Sequence, residues 1–230
     1  MSFKLSSMDL IFNASFNNVQ QTLNDSGIVE AGNYPTTDNM TCSSNISAAQ
    51  DCHHGRDNTD NIDDDGKAGF SFTKLDANGV PLAASAMAWT CVEDNITGLI
   101  WEVKTLDNSV HNKENLYNWG GITHQGTGFG TYFDGWDILV NNSNVNTYCG
   151  LSTWRVPTSR ELISLIDYNK FNFTIDLNYF PNTQNSNYWS STPSNQYIDQ
   201  ARNVSFNDGE SVHTGFRSGD AYVRLVSSGQ

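Results

Sequence analysis

Basic side chains are scarce in this chain of 230 residues, with 12 Lys and Arg against 25 Asp and Glu and a formal net charge of −13. Such a field repels phosphate backbones and anionic bilayer surfaces, so nucleic acid is not an expected partner. Long apolar runs are absent: none approaches the roughly 20 residues that span a bilayer, and no membrane insertion is expected. The opening MSFKLSSMDL lacks a basic start followed by an apolar stretch, so no secretory signal is read there. There is no GxSxG, HExxH or Gly-rich phosphate loop, and no nucleophile stands in frame with a base, so no catalytic residue is assigned and no enzyme is expected. The four cysteines, Cys42, Cys52, Cys91 and Cys149, contain no CxxC pair and no zinc-finger His spacing, which makes disulfides the better reading.

What the chain does have is aromatic bulk: six Trp, nine Tyr and twelve Phe. That much ring surface needs a packed interior and excludes a disordered chain. The charged fraction is only 16%, offset by many Asn, Ser and Thr, a polar uncharged surface in keeping with an extracellular protein.

Residues 1–27 carry Met8, Ile11 or Phe12, Phe16, Val19 and Leu23 at helical spacing, although LIFNASF also alternates like a strand. This segment reads as an N-terminal extension or edge element, or as a stalk able to hold a trimer; residues 28–230 form the main domain. Residues 32–68 show no apolar period and read as a long loop region held by a staple. The runs GFSFTKL, AMAWTCV and GLIWEVKT predict short strands, and 118–148 predicts a structured loop with little regular element. Thr158 followed by Glu161 is a capping box that predicts a helix from Ser159 to about Tyr168. YWSST, ARNVSFNDGES and AYVRLV complete the strands, with NDGE as a hairpin turn. Trp189 is expected to pack against Trp101.

The ordered set TGLIWEVKT, WRVPTSRELISLIDY, IDLNYFPNT, YWSST, ARNVSFNDGE and YVRLV resembles the C-terminal domain of the Legionella collagen-like adhesin over roughly residues 24–228. That resemblance implies an α+β, C-type-lectin-like fold in which short antiparallel strands and one clear helix carry long irregular loops. It further implies a secreted or cell-surface location and a ligand-binding role. In the family the best-studied member is an adhesin for sulfated polysaccharide, and related domains form the variable ends of retroelement-diversified proteins.

The expected contact set lies in the C-terminal loops: Asn195, Tyr197, Asp199, Arg202, Glu210, His213, Phe216 and Arg217. These types make stacking, amide and guanidinium contacts to a glycan or a surface protein. The net charge counts against a polyanionic ligand. The EPN, QPD and WND segments of the calcium lectins are absent, so sugar binding through calcium is not expected. A structural calcium remains an expectation of the acidic loop, where Asp57, Asp60, Asn61, Asp63 and Asp65 precede Gly66 as in half an EF-hand, with Phe72 in place of the bidentate Glu. Cys91 with Cys149 and Cys42 with Cys52 is the favoured pairing, although four cysteines allow three connectivities. Two alternative functions stand beside the binding module: a relative of the formylglycine-generating oxidases, which needs reactive thiols, and a structural oligomerising tip of a surface fibre.

Overall fold

The computed structural model describes residues 24–33, 37–41, 50–56, 64–121, 125–128, 130–131, 133–209 and 213–229. Among the described residues, nine short strands pair antiparallel in three sheets. The first is β1 (Glu30–Asn33) with β2 (Thr37–Thr41). The second has the order β3 (Phe72–Leu75), β4 (Cys91–Asp94), β5 (Ile100–Glu102), β9 (Val226–Ser227). The third is the meander β6 (Asn187–Pro193), β7 (Gln200–Ser205), β8 (His213–Phe216). With two helices and long connecting loops this is the α+β architecture that the sequence implied.

The C-terminal run is the seam of the molecule. Trp101 pairs with Val226 across β5 and β9, Tyr188 bridges to Tyr222, and Tyr117 bridges to Ala221. Strand periodicity then splits the segment between two cores, because alternate side chains point to opposite faces. Val223 and Leu225 enter a core built on Trp119, Trp136, Trp154 and Trp189, whereas Val226 enters one built on Phe72, Trp101, Leu162, Phe180 and Tyr188. Trp101 and Trp189 therefore anchor different cores and are not the packed pair expected from the sequence. The terminal strand also lies later than Tyr222–Leu225, at Val226–Ser227.

The helix after Thr158 forms as the capping box requires. Glu161 N–H donates to the Thr158 hydroxyl, and the Glu161 carboxylate accepts the Thr158 N–H at 2.7 Å and both Arg155 guanidinium nitrogens at 2.9 and 2.6 Å. It is shorter than predicted: α2 covers Ser159–Ile163, and Leu165 and Ile166 are buried in the turns that follow. The N–H groups of Asp167 and Tyr168 donate to Thr174 and Ser26 carbonyls, so tertiary partners end the helical ladder. A second helix, α1 (Asp137–Val145), occupies part of the region expected to be loop. Its three Asn give it poor intrinsic propensity, and packing of Leu139 and Val140 holds it in place. β2 likewise falls in a stretch without apolar period and is held by backbone pairing to β1.

Cys91 and Cys149 form a disulfide that closes 58 residues of chain, with Cα atoms 6.5 Å apart. Cys52 is also disulfide-bonded, and there is no free cysteine among the described residues. Cys42, its expected partner, lies outside them. We expect alkylation of the folded protein without reductant to add no mass; label on any cysteine would contradict this and favour the oxidase alternative.

Candidate functional site

The predicted contact loop is held by hydrogen bonds within itself. The Ser194 hydroxyl accepts the N–H groups of Gln196 and Tyr197 at 3.2 and 3.1 Å, Ser194 N–H donates to Gln200 O at 3.1 Å, and Gln200 N–H donates to Tyr197 O at 3.3 Å. The β7–β8 register places Phe216 opposite Gln200, beside this turn. The outcome is a rim on which Tyr197, Ile198 and Phe216 stand 46%, 62% and 61% exposed. Asn195 and Asp199 are exposed on the same turn. Large apolar side chains held open on an ordered turn are what a protein surface spends on contacts.

Arg217 is a correction to the predicted set. It is 1% exposed and lies beneath the rim. Its N–H donates to Asp199 O at 2.9 Å, its Nε to Gln200 O at 3.1 Å and its Nη1 to Thr131 O at 2.8 Å, while the guanidinium covers the Trp119 ring at 4.2 Å. A planar fork that satisfies two carbonyls while stacking on an indole is an internal clamp. Arg202 is half-buried within β7. Glu210 and the side chain of His213 lie outside the described residues.

A buried ionic group that the sequence did not announce sits at the end of β5. Glu102 is fully buried; its Oε1 accepts Lys104 Nζ at 2.9 Å and lies 2.8 Å from His111 Nδ1, and its Oε2 accepts Leu225 N–H at 2.8 Å. Arg224 donates to Glu102 O at 2.6 Å and to the Thr183 hydroxyl at 2.7 Å, and the Tyr148 ring stacks on His111 at 3.9 Å. Burial alone would raise the Glu102 carboxyl, but the Lys104 ammonium, the hydrogen bond and charge of His111 and the Leu225 N–H outweigh it and hold it at about 2. Every member is tied to another, which makes the group a staple joining β5 to the C-terminal seam.

Two adjoining clefts of about 470 and 370 Å³ open between the 84–90 loop and the 176–182 loop, and both are lined by Met87 and Trp89. AMAWTCV predicts a strand, but β4 begins only at Cys91, and the residues before it form a loop that walls both clefts. Of the expected metal ligands, Asp57, Asp60, Asn61 and Asp63 lie outside the described residues. Asp65 is described, and its carboxylate accepts the Ser71 hydroxyl. Among the described residues no group of three or more His, Cys, Asp and Glu is placed to hold a metal ion.

The model of the Lcl C-terminal domain family matches residues 90–227, which takes in the disulfide, both helices, the rim and the seam. The chain belongs to this family. The match begins well inside the 24–228 span of the resemblance, so the β1–β2 hairpin and β3 precede the matched region. No curated protein and no solved structure matches the chain. Among the described residues no helix is long and apolar enough to cross a membrane.

Proposed function

We propose that this Lcl C-terminal domain is an extracellular, non-enzymatic binding module, and that it holds a glycan or a surface protein on the rim formed by Asn195–Asp199 and Phe216. The observation that carries the reading is the contrast in burial. Five of the six Trp are at most 2% exposed, while Tyr197, Ile198 and Phe216 stand in solvent beside or on a turn held by hydrogen bonds from the N–H groups of Ser194, Gln196, Tyr197 and Gln200. An ordered loop gives up little conformational freedom on binding, so its contacts convert to affinity. Membership of the Lcl C-terminal domain family supports a surface-protein setting. The disulfide-bonded state of Cys52, Cys91 and Cys149 favours this reading over the thiol-dependent oxidase.

The test is an array of glycans and host surface proteins probed with the wild-type domain and with Tyr197→Ala/Phe216→Ala. Loss of two central aromatic contacts should weaken every specific signal by at least about 30-fold, equivalent to roughly 2 kcal/mol. Equal signals from both proteins would place the contact elsewhere.

A further inference from the structure

Trp89 is the one Trp that the fold leaves partly open. It stands where the two clefts meet, and its Nε1 donates to Tyr179 O at 2.9 Å, tying the 84–90 wall to the 176–182 wall. The 84–90 wall is pinned from below: Lys74 Nζ donates to Ala84 O and Ala86 O, both at 2.9 Å, and lies 3.8 Å from the Trp89 ring centre. Met87, 94% exposed, overhangs both clefts. The larger cleft is also lined by Asp64, Lys67, Asp176 and Asn178; the smaller one carries Val103, Tyr148, Pro181 and Asn182. Each volume falls in the range of small-molecule sites, roughly 300–1,000 Å³.

We propose that this groove is a second binding site, separate from the rim, for an uncharged oligosaccharide laid across Met87 and Trp89. A sugar ring offers an apolar C–H face and a fringe of hydroxyls. It needs an apolar ledge beside a hydrogen-bond acceptor and an amide that both accepts and donates, which Met87 with the open part of Trp89, the Asp176 carboxylate and the exposed Asn178 side chain supply together. The charges choose among saccharides. Asp64 and Asp176 balance Lys67 and Lys74, and the Lys74 ammonium is already committed to two carbonyls and an indole face. Neither a polyanion nor a polycation finds a net opposite charge there, and the −13 of the whole chain opposes a polyanion further. Two adjoining cavities that share Met87 and a partly open aromatic favour a chain of rings over a single one.

The test uses full-length protein carrying ¹³C-methyl methionine, with the Met87 signal assigned by its loss in Met87→Ala. The probes are cellotetraose, chitotriose, mannotriose and lacto-N-tetraose, with heparin tetrasaccharide as the charged control. The Met87 methyl should move saturably with at least one uncharged probe. In Asn178→Ala, an exposed change that leaves the walls intact, that probe should bind about tenfold more weakly, the order of one lost hydrogen bond. Tyr197→Ala/Phe216→Ala should leave the response unchanged, so failure of the rim and failure of the groove give different results. No movement with any uncharged probe, movement with heparin alone, or undiminished binding by Asn178→Ala would each overturn the assignment.

Discussion

Glu102→Gln should destabilise the domain by about 3–5 kcal/mol at pH 7, the cost of leaving a buried ammonium without its counter-charge. Lys104 and Glu102 have no side-chain exposure, and one Glu102 oxygen is shared by Lys104 and His111. An amide has one acceptor oxygen and brings two donors of its own, so it cannot serve Lys104, His111 and Leu225 N–H together. The pH dependence carries its own signature. Glu102 has an ordinary value near 4.5 and is held at about 2 in the fold, so the folded state binds fewer protons at this site than the unfolded chain between those values. Its stabilising contribution is present in full above about 4.5 and is lost as the pH falls toward 2. Urea unfolding from pH 7 to pH 3 should therefore show the wild type losing stability through this window and Glu102→Gln losing less. A variant within 1 kcal/mol of wild type, or one with the same acid profile, would show that the ionic group does not staple the seam.

Arg217→Ala should cost about 3 kcal/mol, with the loss expressed first at the rim. Removal takes the guanidinium from Thr131 O, leaves Gln200 O with Ser194 N–H alone, and uncovers the buried Trp119 face, whose lost cover carries most of the cost. Arg217→Lys should recover little, since a single ammonium cannot span both carbonyls while stacking on the indole. Because the Arg217 side chain holds the carbonyl of Gln200, the residue that closes the rim turn on Tyr197 O, binding should fall together with stability. This distinguishes a clamp from a contact: truncation of Tyr197 or Phe216 should weaken binding with no such loss. Chemical denaturation of the alanine and lysine variants beside wild type is the check, and an unfolding free energy unchanged in Arg217→Ala would return the residue to the contact set.

Much of the framework was legible because its signals are local. Thr158 and Glu161 sit one helical turn apart, NDGE announces the β7–β8 turn where Gly209 takes φ 71°, and the strand runs carry their own apolar residues. What escaped depends on partners distant in the chain. Glu102 and Arg224 are separated by 122 residues, and in sequence each is only a charge on an alternating strand. Arg217 looked like a surface hot spot because its type is enriched there; its burial is decided by Trp119 and Thr131, about a hundred residues upstream. Helix α1 was hidden by its Asn content, and the groove by a Trp whose strand-like neighbours belong to a loop.

The central claim is that a rigid framework displays a rim whose apolar side chains are spent on a ligand and not on the fold. Urea unfolding and array binding, measured on one preparation of Tyr197→Ala/Phe216→Ala, test it most directly. The account predicts stability within about 0.5 kcal/mol of wild type, as for exposed side chains generally, together with loss of the specific array signals. Stability lowered by 2 kcal/mol or more with binding retained would mean that the rim is core and that the contact surface lies elsewhere.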